Sequence, residues 1–331
     1  MNKLIIVVVF GGLVVLALWL LNKRKKIYYE IHPSKLGTWK TVADNNSIVL
    51  FISGYPDRSD IWREKFIGKK TKYDIMKTSI VREISKFAKV IIYDRPGTIT
   101  IVDNKETPAA DPIILKSRSY NHSQPVSASD HVSDLVILLD QLVNEKLISN
   151  EPITIVAHSA GGLCARLFDL ENPNRVKNML LLDITNEYLL KSWTKEEINA
   201  YLYSTRYLPS KVTPLYPNFE VIDFLKSFQE LENARNNKKG FYKGSSTKCV
   251  LLASSIAPKV EDMVNIGEWP KEVLTIPNFS QSVLSGVQKS YSLMREDSLH
   301  HMSIIIVKDS SHYIQRDAPW EVIKWIKKLI H

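Results

Sequence analysis

Cysteine is nearly absent: Cys164 and Cys249 are the two in 331 residues. Two widely separated thiols give neither a disulfide framework nor a Cys-ligated zinc site, and they read as buried, reduced side chains. Glycine and proline are scarce, at 12 and 15, which excludes a collagen-like or linker-dominated chain. There is no internal repeat and no long low-complexity tract. The spacing of the eight histidines suggests no metal site. With 44% hydrophobic and 24% charged residues, wholesale disorder is excluded as well. The length allows one large or two modest domains.

Also missing is a basic stripe interleaved with aromatics, although the net charge is +9. Lys3, Lys23, Arg24, Lys25 and Lys26 lie in residues 1–26, which contain no acid. The rest of the chain holds 39 basic residues against 35 acidic ones, so more than half of the excess is N-terminal. Nucleic acid is therefore not an expected partner.

What the N-terminus does have is an unbroken uncharged run, Leu4–Leu21. Eighteen helical residues span roughly 27 Å, close to the hydrocarbon thickness of a bilayer. A cleaved signal peptide would need a shorter apolar region and a small-x-small site, and Leu16–Leu21 offers neither. Residues 1–26 therefore read as a single-pass membrane anchor with span 4–21. The cations at 23–26 place the remainder, 27–331, in the cytoplasm.

Beyond the anchor, short apolar runs alternate with helical patterns. Ile27–His32 and Thr38–Ala43 read as an antiparallel pair. Ser47–Ile52, Lys89–Tyr93, Pro152–Ala157, Asn178–Asp183, Lys248–Ala253 and Met302–Val307 read as buried strands. Ser79–Phe87, Asp130–Val143, the residues after Gly161, and the segment opened by Pro319 read as helices. Residues 98–125 are polar and turn-rich and read as a surface excursion. The alternation predicts a mainly parallel sheet with helices on both faces. Residues 184–247 interrupt it with 11 of the chain's 31 aromatics and read as a helical lid.

The most informative stretch is Ile153–Gly162, which ends in Ala157-His158-Ser159-Ala160-Gly161-Gly162. A buried strand runs into a small-x-Ser-x-Gly turn and then a helix. Small residues two before and two after Ser159 let the backbone fold sharply enough to project its hydroxyl at the sheet edge. The following helix aims N–H groups, including that of Ala160, where an oxyanion would form.

Taken together, Ser53-Gly54, Tyr93-Asp94-Arg95-Pro96-Gly97, the turn at Ser159 and Ser311-His312-Tyr313-Ile314 occur in the order in which the α/β-hydrolase family carries its motifs. From about Ile27 to the C-terminus the chain resembles that family, in particular bacterial members with an HSAGG turn. The resemblance implies an α/β-hydrolase fold, a Ser–acid–His triad and no cofactor or metal. It implies Ser159 as nucleophile, His312 as base, and the backbone N–H of Tyr55 as second oxyanion donor beside that of Ala160. His158 reads as structural. The acid is open. No carboxylate closely follows Lys248–Ala253, where most relatives have one. Asp183, at the end of the preceding strand, is the first choice; Glu261 or Asp262 is the alternative, and a site without an acid is the third. The expected activity is hydrolysis of an ester or related acyl bond in a small, apolar substrate. Acyl transfer to another acceptor and a non-catalytic binding or scaffold role are the rivals.

Overall fold

Apolar runs without polar alternation suit strands covered on both faces, and such runs form the middle of one sheet. In chain order the strands are β1 Lys26–His32, β2 Ile48–Ile52, β3 Lys89–Asp94, β4 Ile113–Lys116, β5 Ile153–His158, β6 Val176–Leu182, β7 Lys248–Ala253 and β8 Met302–Ile306. The structure is a computed structural model. It describes residues 26–32, 47–64, 78–95, 113–116, 125–212, 220–237, 247–265, 269–297 and 302–331. The segments 4–21 and 38–43, expected as anchor and strand, lie outside the described residues. Among the described residues no helix is long and apolar enough to cross a membrane.

The eight strands lie in the order β4-β1-β3-β2-β5-β6-β7-β8. From β3 to β8 every neighbour is parallel. β1 is antiparallel to both β3 and β4. β4 lies inside the stretch read as a surface excursion, which corrects that reading. Four residues, Ile-Ile-Leu-Lys, are too short a run to stand out from the polar sequence around them.

Helices cover both faces: α1 Ile80–Ile84, α2 Ala128–Asn144, α3 Gly161–Glu171, α4 Leu189–Ser192, α5 Lys195–Val212, α6 Phe224–Asn237, α7 Val260–Asn265, α8 Phe279–Asp297, α9 Ile314–Asp317 and α10 Pro319–Ile330. Side chains alternate across a strand. Leu50 and Ile52 accordingly join the core beneath α2, α3 and α6, while Val49 and Phe51 join the core beneath α1 and α10. α2 starts on a capping box in which the Ser127 N–H donates to Asp130 Oδ2 at 2.9 Å. α10 starts on Pro319 and buries Val322, Ile323, Ile326, Leu329 and Ile330 along one stripe. Cys164 and Cys249 are buried free thiols.

Two features refine the sequence reading of the insertion. Phe224, Phe228 and Leu231 of α6 are buried against α2 and α3, so the last helix of 184–247 is part of the sheet's covering layer. Among the described residues the connection from β7 to β8 carries two α-helices, α7 and α8, with the 3-10 helix Lys271–Thr275 between them. The apolar spacing Phe279, Val283, Val287, Tyr291 and Met294 marks α8 in the sequence.

Candidate active site

Ser159 follows β5 directly and has φ 49°, the left-handed region that a side chain enters only when its surroundings hold it there. Its N–H donates to Leu182 O at 3.1 Å, and its carbonyl accepts from Gly162 N and Thr185 N at 3.0 Å each. The turn is fixed through its main chain. Close backbone approach explains the glycines around it. A Cβ on Gly161 would stand 2.6 Å from Ser53 O and 2.7 Å from Ile52 O. One on Gly54 would stand 2.8 Å from Ser159 Cβ. The loop after β2 and the turn after β5 therefore touch backbone to backbone.

Asp183 follows β6, at the same sheet edge, and also has a positive φ, 40°. Its N–H donates to Leu252 O of β7 at 2.8 Å. Its Oδ1 accepts from Ser254 N and Ser254 Oγ, both at 3.0 Å, and from Tyr291 OH at 3.2 Å. Its Oδ2 lies 2.8 Å from His312 Nδ1. A carboxylate accepts, so Nδ1 carries the proton and Nε2 keeps its lone pair. The carboxylate is buried, while the His312 side chain is 47% exposed. Glu261 and Asp262 lie on α7 with no buried neighbour on their helix.

The loop bearing His312 is tied down on both sides. Asp317 Oδ2 accepts from Ser311 N at 2.8 Å and from Ser311 Oγ at 2.6 Å. Ser310 O accepts from Ser255 N and Ile256 N at 2.9 and 3.0 Å. His158 links it to the turn at Ser159: its Nε2 lies 3.0 Å from His312 O. A carbonyl cannot donate, so Nε2 carries the proton of a neutral imidazole. Burial holds the pKa of His158 well below the ordinary range, with the nearby His312 adding to this. Burial likewise raises the pKa of Asp57, whose Oδ2 stands 3.7 Å from His158 Nδ1. At that distance the contact is not a hydrogen bond, and burial opposes both charges.

A stability prediction follows from His158. The unfolded chain takes up this proton near pH 6.5, whereas the folded chain does so only well below that. Acidification through pH 6.5 therefore favours the unfolded state, by up to about 1.4 kcal/mol per pH unit for one group. Stability measured by urea titration at pH 7.5 and 5.5 should fall less in His158→Asn than in the parent. Equal losses would remove His158 as a cause.

The loop after β2 contains partners that motif spacing does not reveal. Ser53 opens that loop. Its hydroxyl accepts from Trp62 Nε1 at 2.9 Å and donates to Arg58 O at 3.0 Å. Arg95, 4% exposed, donates from Nη1 to Ser53 O at 2.5 Å and from Nη2 to Gly54 O at 2.8 Å. Its Nε and Nη2 hold Glu220 at 2.9 and 3.0 Å. The Tyr55 ring packs edge-on to Phe224 with centroids 6.1 Å apart. Phe224 continues to Tyr201 at 5.2 Å and Tyr201 to Trp193 at 5.3 Å. Among the described residues no group of three or more His, Cys, Asp or Glu is placed to hold a metal ion.

No protein-family model and no curated protein matches the sequence. Solved structures similar to this chain include a thermophilic esterase from Thermogutta terrifontis, at 12% identity and TM-score 0.49, covering 92% of this chain and 94% of that one. Carboxylesterase CesB from Bacillus subtilis aligns at 12% identity and TM-score 0.48, over 93% and 88% of the two chains. An epoxide hydrolase from Bacillus megaterium aligns at 13% identity and TM-score 0.49, over 92% and 96%.

Proposed function

We propose that the chain is a serine hydrolase of the α/β-hydrolase type that cleaves an ester or related acyl bond. The observation that carries this is the convergence, at one sheet edge, of a serine on a left-handed strand-to-helix turn with a buried Asp183 bonded to His312. Ser159 Oγ attacks the carbonyl, and His312 Nε2 takes its proton and returns it to the leaving alcohol. Asp183 keeps the Nδ1 proton in place and stabilises the imidazolium as it forms. The N–H groups of Ala160 and Tyr55 receive the oxyanion. Water then enters with His312 as base and releases the acid.

The row Tyr55–Phe224–Tyr201–Trp193 joins the oxyanion loop to the 184–247 insertion and supplies large apolar area. It supports an apolar acyl or alcohol group as substrate. Two added methylenes are worth about 1.6 kcal/mol when buried, roughly tenfold. p-Nitrophenyl butyrate should accordingly exceed the acetate in kcat/KM by about that factor. Equal specificity constants would exclude an apolar acyl pocket.

A further inference from the structure

Arg95 is buried, and its guanidinium is spread over two consecutive carbonyls of one loop and the carboxylate of a residue 125 positions away. Taking a guanidinium out of water costs several kcal/mol, and a well-packed apolar residue often serves stability as well or better. What an apolar residue could not do is hold the carbonyls of Ser53 and Gly54 in one direction. In a trans peptide the C=O and the following N–H point opposite ways. The Gly54 carbonyl is turned to Arg95, so the Tyr55 N–H projects from the other side of that peptide. Gly54 itself lies against Ser159, close enough that a Cβ would meet Ser159 Cβ at 2.8 Å.

We infer that Arg95 is a positioning residue that sets the Gly54–Tyr55 peptide so that the Tyr55 N–H serves the oxyanion, and that Glu220 of the β6–β7 insertion holds Arg95 in that role. This rests on the hydrolase reading above. Glu220 reaches the loop through its own anchor. Val126 N donates to Val221 O at 2.7 Å, and Asp223 N donates to Val126 O at 2.8 Å. His131 Nε2 lies 3.0 Å from Glu220 Oε1. Burial alone would raise the Glu220 pKa, but the charge of Arg95, with His131, holds it down at about 2. The carboxylate is therefore ionised wherever the enzyme works. The insertion thus meets the oxyanion loop through Phe224 on Tyr55 and, by way of Arg95, through this ion pair.

The test compares Arg95→Lys and Glu220→Gln with the parent. A fluorophosphonate end-point counts competent sites, and the labelling rate and kcat per counted site report the oxyanion donor. A lysine keeps the charge but cannot bond Ser53 O, Gly54 O and both Glu220 oxygens together. Losing one oxyanion donor costs about 10²–10³ in kcat. R95K should fall about 10²-fold in kcat per site, with KM within about threefold. E220Q keeps an acceptor and should fall less, about tenfold. A purely structural role would lower Tm and the number of sites but leave kcat per site unchanged. A labelled parent with R95K undiminished per site overturns the inference alone. If R95K does not fold, E220Q decides, and an unchanged kcat per site overturns it. A parent that takes no label overturns the hydrolase reading and this inference with it.

Discussion

Ser159→Ala is expected to fold like the parent, to take no fluorophosphonate label and to lose about 10⁴-fold or more in ester turnover. Removal of a nucleophile from a triad leaves only the contribution of binding and the oxyanion hole. Folding should survive because the contacts that hold the turn are main-chain ones. Leu182 O, Gly162 N and Thr185 N bond the backbone of residue 159, not its hydroxyl. Alanine at φ 49° is strained to about the same degree as serine, since both carry a Cβ. A fall in activity with unchanged Tm therefore reports chemistry. S159A that kept turnover would move the nucleophile elsewhere, and a folded parent that took no label would favour the non-catalytic reading.

The left-handed turn at Ser159 is legible in the sequence because its requirements are local. A buried strand, small residues two positions to either side of the serine and a helix within ten residues are all visible at once. His312 is legible from its place between the last strand and the last helix. The acid is harder, because two strand ends reach the same edge and spacing does not choose between them. What fixes Asp183 beside His312 lies in β7: its end supplies the amide and hydroxyl of Ser254, two donors that need an acceptor opposite them, and Asp183 provides it. Tyr291 completes that shell from α8, 108 residues from Asp183. Arg95 and Glu220 are legible as residues but not as a pair. Contacts over 125 residues leave no period or spacing in the chain. β4 escapes notice for a different reason: its four residues gain their strand character only from pairing with β1.

Asp183→Asn should lower kcat by about 10⁴ with little change in KM or Tm, the effect of holding a triad histidine in the wrong tautomer. The geometry says how the amide must sit. Oδ1 of Asp183 faces three donors, and one of them, the backbone N–H of Ser254, can only donate. An asparagine must therefore place its carbonyl oxygen there, which preserves all three bonds and accounts for the small change in Tm. Its NH2 is then forced into the Oδ2 position, facing His312 Nδ1 across what was a 2.8 Å contact. Two donors cannot share that contact, so Nδ1 gives up its proton and Nε2 acquires one. An Nε2 that already bears hydrogen cannot take the proton of Ser159. Flipping the amide does not help, since it would set N–H against the N–H of Ser254. Glu261→Gln and Asp262→Asn, on the exposed turn of α7, should stay within about twofold of the parent. Should folded D183N remain within tenfold of the parent while one of those two loses activity, the acid lies after β7 and the Asp183–His312 pair only orders the loop.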